Sequence, residues 1–147
     1  MSYLAEQQLM VLVDSSIWIE AARREGDLAC KVGLEGLLEA AEAMYCSPVR
    51  LEFLGGARAA DRKSLSTYMD CIPCKAIDTN AWEFAGECAW RLRDKGQIIP
   101  WNDILIGSLG LRWECRVYAR DQHFEIMRDV LGLRLYKPGY GGSYNPH

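Results

Sequence analysis

The chain alternates short apolar runs with longer segments whose apolar residues recur every three or four positions. Residues 9–13 are continuously apolar, which is typical of a strand buried on both faces. Between the polar group at 78–80 and Gly96, apolar residues follow helical spacing. This alternation predicts an α/β fold around a mainly parallel sheet. In chain order, we expect strands at 9–13, 44–47, 116–119 and 131–136, an extended segment at 72–77, shorter helices at 17–24, 28–43, 48–54, 59–69 and 104–111, and a long helix ending at Gly96.

The size and composition are those of one globular domain. The chain has 147 residues, of which 50% are hydrophobic and 25% are charged, so it can bury a core. We expect a single domain over 1–147, with its core at about 9–136 and a loose C-terminal tail at 138–147. No window approaches the roughly 20 apolar residues of a membrane span, and the first residues lack the features of a signal peptide, so we expect a soluble, cytoplasmic protein.

The six cysteines do not predict a disulfide framework or a metal site. They lie mostly in apolar or helical contexts, where cysteines of a reducing compartment are usually small buried hydrophobes. Cys71 and Cys74 form a C-x₂-C pair, but structural zinc needs a second pair of ligands at similar spacing, and the chain has none. The pair also lacks the strand-then-helix context of a thioredoxin-like motif.

Acidic residues stand where predicted strands end and where predicted helices begin. Asp14 follows the first strand, and Asp121 follows the strand at 116–119. Ligands of an open parallel sheet bind outside the carboxyl ends of its strands, so these two acids are expected to share a crevice. Asp103 begins a buried helix on the same side, and Glu52 lies between apolar neighbours on a short helix. Singly, each acid fits a cap, a first-turn acid, a turn or a solvated helix face. Together they indicate one site.

Five short segments, spread over most of the chain, form an ordered set. They are Leu-Val-Asp-Ser-Ser-Ile-Trp-Ile-Glu at 12–20, Ser-Pro-Val-Arg-Leu-Glu-Phe-Leu-Gly at 47–55, Leu-Arg-Asp-Lys-Gly at 92–96, Asn-Asp-Ile-Leu-Ile-Gly-Ser-Leu at 102–109 and Arg-Asp-Gln-His-Phe at 120–124. This set resembles the successive motifs of PIN-domain nucleases, most closely the VapC-type toxins of bacterial toxin–antitoxin pairs. No single segment is specific, but the five in order are, and they span roughly residues 9 to 136.

The resemblance implies a fold, an activity and a site. The fold is a PIN-like three-layer sandwich, in which helices flank a central, mainly parallel sheet. The activity is that of a metal-dependent endoribonuclease, a toxin that hydrolyses RNA phosphodiester bonds with Mg²⁺ or Mn²⁺. The implied partners are a small antitoxin and a second copy of the chain in a homodimer. The family's catalytic and metal-binding acids fall on Asp14, Glu52, Asp103 and Asp121, with Ser15 and Ser16 in supporting positions.

The sequence departs from the family pattern at two places. Ala119 stands where the family often has threonine, which removes one hydroxyl near the metal. The run of small residues after Asp103 is usually rich in alanine, whereas here it reads Ile-Gly-Ser at 106–108. Because the small volume is kept, we still expect this helix to pack closely against its neighbours.

The residue types suit phosphodiester hydrolysis. Hard cations such as Mg²⁺ prefer carboxylate oxygens, and a bound cation activates water and stabilises charge on phosphate oxygens. With the four acids set aside, the remaining 16 acidic residues nearly balance the 17 basic ones, so an acidic pit lies in a weakly basic surface. For His123 we expect a packing or hydrogen-bonding role rather than catalysis. Candidates for RNA contacts are Arg58, Arg62, Lys63, Arg112, Arg116 and Arg120.

Other classes of protein fit the sequence less well. A haloacid-dehalogenase-type phosphatase needs a second aspartate two residues after the first, where this chain has Ser16. A receiver-like domain needs adjacent acids before its first helix, and none stands near Asp14. A non-catalytic PIN-fold binding module commonly loses acids of the quartet, which is intact here. An RNA-processing nuclease outside a toxin–antitoxin pair stays open, although the small single domain favours the toxin.

Overall fold

The computed structural model describes residues 9–138, and a three-stranded parallel sheet lies at their centre. The predicted loose ends lie outside these residues, except for Pro138, and the single-domain assignment over 1–147 stays a prediction. The strand order is β2-β1-β3, with Val11 of β1 paired to Ala43 of β2 and to Arg116 of β3. The strands are β1 (Val11–Val13), β2 (Ala43–Met44) and β3 (Arg116–Tyr118).

Seven α-helices surround the sheet within residues 9–138. They are α1 (Ser15–Ala22), α2 (Leu28–Glu39), α3 (Ser47–Gly55), α4 (Arg62–Asp70), α5 (Thr79–Asp94), α6 (Trp101–Arg112) and α7 (His123–Leu131), and a 3₁₀ turn (Ala59–Asp61) leads into α4. Helices α1 to α4 pack with one another, as do α5 to α7. The predicted three-layer α/β arrangement is confirmed.

Short polar residues fix where several of these helices begin. The carboxylate of Asp14 accepts the backbone N–H of Ser16 at the start of α1, and Asp27 caps α2 in the same way. Asp78 caps α5 by accepting the N–H of Ala81. Asp14 and Asp78 therefore set where α1 and α5 begin.

The sheet topology places a crevice at the carboxyl end of β1. The chain leaves β1 for β2 on one side and later crosses back to β3 on the other side, so the direction of strand addition reverses at β1. Such a reversal opens a crevice outside the carboxyl ends of the two flanking strands. Here β1 and β3 stay joined at their ends, because the N–H of Asp14 donates to the carbonyl of Tyr118 at 2.9 Å. Asp14 follows β1 directly, and Asp121 lies three positions after the last residue of β3.

Most predicted boundaries lie within three residues of those in the structure, and three predictions differ by more or name the wrong element. Helix α2 ends at Glu39 rather than 43, because Ala41 adopts a left-handed turn (φ 56°) that leads into β2. The predicted strand at 131–136 begins inside a helix that was not predicted, α7. Beyond α7, this segment contributes a single bridge between Leu135 and Val117. The extended segment at 72–77 likewise makes one bridge, between Cys74 and Tyr45.

Two glycines allow α6 to lie close to its neighbours. A Cβ atom on Gly110 would stand 2.5 Å from Cγ2 of Val117 on β3, and one on Gly107 would stand 2.5 Å from Sδ of Met127 on α7. Real Cβ atoms are not found that close to other atoms, so larger side chains are excluded unless the neighbours shift. The expected close packing of this helix is confirmed, and it brings Asp103 towards the end of β3.

The prediction for the cysteines holds for four of the six. Cys30, Cys46, Cys88 and Cys115 are buried free thiols, and burial raises the pKa of Cys46 to about 12. Cys71 and Cys74 are exposed free thiols, so the prediction of buried cysteines was wrong for them. Among the helices of residues 9–138, none has the length and apolar character to cross a membrane.

Candidate active site

The four predicted acids come together from four parts of the fold. Asp14 follows β1, Glu52 lies on α3, Asp103 lies in the first turn of α6, and Asp121 lies between β3 and α7. The negative charges of Glu52 and Asp103 act on Asp14, and those of Glu52 and Asp121 act on Asp103. The structure therefore groups these carboxylates at the crevice beyond the sheet, as the sequence predicted.

Asp14 is the most deeply buried of the four acids, with 4% of its surface exposed. Its Oδ2 atom accepts hydrogen bonds from the backbone N–H of Ser16 at 3.1 Å and from Ser16 Oγ at 2.6 Å. Its Oδ1 atom is buried and has no hydrogen-bond partner within the described part of the chain. Burial raises the pKa of Asp14 against the effect of the Ser16 hydrogen bonds, and the nearby charges of Asp103 and Glu52 raise it further.

Glu52 is held from two sides. Oγ of Ser15 donates to Oε2 of Glu52 at 2.7 Å, and the side-chain amide of Asn102 donates to Oε1. Ser15 therefore has a defined contact in the site, and Asn102 is a contact that the sequence analysis missed. The signal that could have found it is the position of Asn102, directly before Asp103 in the fourth motif.

His123 joins the other two acids. Its Nδ1 atom lies 2.9 Å from Oδ2 of Asp103 and 2.9 Å from Oδ1 of Asp121. Its backbone N–H also donates to Oδ1 of Asp121 at 2.9 Å. The expected hydrogen-bonding role of His123 is confirmed. Burial raises the pKa of Asp103, and the charge of Asp121 raises it further, although the His123 hydrogen bond lowers it.

The residues present fit a divalent cation. Ligand atoms of Asp103, Asp121 and His123 lie within 4.8 Å of one another, which is close enough to contact one ion. The unpartnered Oδ1 atom of Asp14 supplies a buried oxygen in the same acidic group, and buried polar atoms normally have a partner. Grouped carboxylates repel one another without a cation, and carboxylate oxygens are what hard divalent ions prefer.

Comparison with known proteins identifies the family. Ribonuclease VapC11 of Mycobacterium tuberculosis is 30% identical over 131 residues, which span 85% of this chain and 96% of that protein. The chain belongs to the VapC ribonuclease family. No family model matches the sequence.

Solved structures agree with the VapC assignment at the level of the fold. The chain is similar to VapBC2 from Rickettsia felis bound to a DNA fragment from their promoter, with a TM-score of 0.71 and 20% identity, over 86% of this chain and 96% of that one. It is also similar to a toxin–antitoxin complex from Klebsiella pneumoniae, with a TM-score of 0.62 and 14% identity, over 93% of this chain and 98% of that one. The predicted PIN-like fold is confirmed.

The predicted basic rim of the VapC-like site needs correction. Arg116 is 7% exposed on the central sheet, and its guanidinium lies over the ring of Tyr136 at 5.3 Å, so its burial does not fit a contact with RNA. The guanidinium of Arg120 pairs with Glu20 at 2.8 Å, which turns it towards α1. Arg112 pairs with Asp78 at 3.5 Å and is one third exposed.

Proposed function

We propose that this protein is a metal-dependent endoribonuclease that cleaves RNA in the cytoplasm and acts as the toxin of a toxin–antitoxin pair. The observation that carries the proposal is the grouping of Asp14, Glu52, Asp103 and Asp121, in which a buried oxygen of Asp14 has no hydrogen-bond partner among residues 9–138. Family membership supports the ribonuclease activity, and the acidic group supports the requirement for Mg²⁺ or Mn²⁺.

The four carboxylates would hold the ion. A bound divalent cation supplies a Lewis acid that activates water and neutralises charge on the phosphate. The surrounding residues keep the acids in place, because Ser16 fixes Asp14 while Ser15 and Asn102 fix Glu52 from opposite sides. Held ligands lose less conformational freedom when the ion and the RNA bind, which favours a defined geometry at the scissile phosphate.

A groove beside Glu52 offers a path for the RNA backbone. Its volume is about 870 Å³, and it lies between α1, α3 and α4. Arg23, Arg24 and Arg58 line it. Arginine forms paired hydrogen bonds with phosphates, and phosphate contacts position a nucleic acid without reading its sequence. We therefore assign the substrate strand to this groove. Of the basic residues predicted to contact RNA, Arg58 lines it, where its guanidinium also pairs with Asp61 at 3.0 Å.

Exposed apolar side chains support protein partners. Within the described residues, five large apolar residues are more than two-thirds exposed, and they lie at the start of α2, on α3, on α5 and around the start of α6. Large apolar patches on a protein surface often mark sites of protein–protein contact. We assign these side chains to the homodimer interface, and we propose that the antitoxin blocks the acidic site. These residues are Leu28, Leu51, Trp90, Ile98 and Trp101.

A cleavage assay tests the proposed function. Purified protein is incubated with single-stranded RNA, and with DNA of the same sequence, in chelator and after Mg²⁺ or Mn²⁺ is added back. The expected result is internal cleavage of the RNA that requires the ion, with the DNA left intact. Co-expression with the product of the neighbouring short reading frame is expected to suppress the cleavage. RNA cleavage at an unchanged rate in chelator would contradict the metal requirement.

A further inference from the structure

The contact of His123 with two carboxylates has an unusual geometry. One ring nitrogen, Nδ1, lies 2.9 Å from Asp103 Oδ2 and 2.9 Å from Asp121 Oδ1. A ring nitrogen carries at most one proton, and one N–H cannot point along a straight line at two separate acceptors. At least one carboxylate oxygen therefore faces this nitrogen without a well-directed hydrogen bond. A cation bound to all three atoms removes this conflict.

The two distances match those around an octahedral ion. With bonds of about 2.1 Å, neighbouring ligand atoms of such an ion lie about 3.0 Å apart. The two N–O distances of 2.9 Å agree with this spacing. A second observation concerns Asp14. Its buried Oδ1 atom has no hydrogen-bond partner among residues 9–138, and the negative charge of Asp103 acts on its carboxylate, so a buried oxygen of the same acidic group is available to a cation.

We propose that His123 is itself a cation ligand through Nδ1, and that it makes the site prefer a transition-metal ion such as Mn²⁺ over Mg²⁺. This inference rests on the proposed function. The family resemblance implies only carboxylate ligands, and the inference adds a ring nitrogen to them. Mg²⁺ favours oxygen ligands, whereas divalent transition-metal ions accept imidazole as well. The backbone N–H of His123 holds Asp121 Oδ1, so the same residue supplies one ligand and positions another.

Direct metal binding tests the inference without relying on cleavage. The affinities of the full chain for Mn²⁺ and Mg²⁺ are measured by calorimetry for the wild type, for His123→Ala and for His123→Asn. Both variants are expected to bind Mn²⁺ about tenfold more weakly or worse, while Mg²⁺ binding changes less than about threefold. Gln122→Ala, which alters the neighbouring position, is the matched control and is expected to keep both affinities. Thermal unfolding establishes that each variant is folded.

A spectroscopic signature identifies the ligand. Mn²⁺ bound to the wild type is expected to show magnetic coupling to an imidazole nitrogen, and His123→Ala is expected to lose it. The sequence contains two histidines, so this variant separates His123 from the other one. An unchanged or tighter affinity for Mn²⁺ in both His123 variants would overturn the inference and leave the proposed function standing. Failure of the wild type to bind either ion would overturn both.

Discussion

Oγ of Ser15 donates a 2.7 Å hydrogen bond to Oε2 of Glu52, a residue 37 positions further along the chain. Ser15 is buried at the start of α1, whereas Glu52 lies on an exposed part of α3. The carboxylate of Glu52 therefore lies on the solvent side of the acidic group, and its hydrogen bond to Ser15 fixes it near the carboxyl end of β1. The contact explains why a hydroxyl is useful directly after Asp14.

Replacement of this serine tests its positioning role. Ser15→Ala is expected to lower the rate of RNA cleavage about tenfold, because a hydrogen bond to a charged group contributes about 1.5 kcal/mol or more and 1.4 kcal/mol is a factor of ten. Ser15→Thr keeps the hydroxyl and is expected to retain most of the rate. Thr67→Ala, which removes an exposed hydroxyl on α4 outside the groove beside Glu52, is the control. Equal rates for Ser15→Ala and the control would refute this role.

The buried acids predict how the stability of the metal-free protein depends on pH. Folding raises the pKa of Asp14 and of Asp103 above the ordinary value of 3.8. The folded protein therefore binds these protons more tightly than the unfolded chain, and stability falls as the pH rises from about 3.8 through the raised pKa values. In chelator, urea unfolding at a series of pH values is expected to show this fall for the wild type and less of it for Asp14→Asn.

The same variant separates charge repulsion from metal binding. Asp14→Asn is expected to be at least as stable as the wild type in chelator, because the amide removes a buried charge and can still accept from Ser16. Added Mn²⁺ should raise the melting temperature of the wild type and leave that of the variant nearly unchanged. Asp129→Asn, at an exposed surface pair with Arg128, should behave like the wild type. A clear loss of stability in chelator would count against the repulsion argument.

The close approach of α6 to the sheet and to α7 predicts that alanine substitutions at different glycines change the free energy of unfolding by different amounts. Gly110→Ala is expected to lower the free energy of unfolding by about 1–3 kcal/mol, because its Cβ would clash with the stiff side chain of Val117 on β3. Gly107→Ala should cost less, since the clashing atoms are the flexible end of Met127. Gly86→Ala on α5, where nothing lies within 4 Å, should stabilise by about 0.5–1 kcal/mol. Urea denaturation measures all three, and an equal cost at Gly110 and Gly86 would contradict the packing argument.

The exposed cysteine pair is expected to be dispensable. Replacing Cys71 and Cys74 together with serine should change stability modestly and leave cleavage intact, since both thiols are exposed and their hydrogen bonds go to Thr67 and Ser47 rather than to the four acids. Elemental analysis of the purified wild type checks for zinc. Stoichiometric zinc, with loss of the fold on chelation, would show that the pair is a structural metal site.

The sequence predicted those parts of the site that follow from local rules. Asp14 and Asp121 lie just beyond the carboxyl ends of two strands, and a parallel sheet brings such positions together, so their grouping could be inferred from the chain alone. Helix α7 was missed although Phe124, Met127 and Leu131 have helical spacing, because residues 122–130 were assigned to no element and Leu131 was placed in the strand predicted at 131–136.

Other features of the site depend on contacts between distant residues. Arg116 looked like a surface cation in the sequence, but the three residues of β3 are buried on both faces, and the guanidinium lies on the ring of Tyr136. The position of His123 between Asp103 and Asp121 requires that α6 and α7 pack side by side. The small residues of α6 predict that this helix packs closely against its neighbours, but not that Gly107 faces Met127 of α7.

The central claim is that the grouped carboxylates hold the ion on which RNA cleavage depends. The most direct test measures the cleavage rate of a single-stranded RNA during a Mn²⁺ titration, for the wild type, for Asp103→Asn and for the control Asp129→Asn. We expect a saturable rise in rate for the wild type and the control, and loss of most cleavage in Asp103→Asn at every Mn²⁺ concentration, with the fold retained. Cleavage by Asp103→Asn at the wild-type rate, with the same dependence on Mn²⁺, would contradict it.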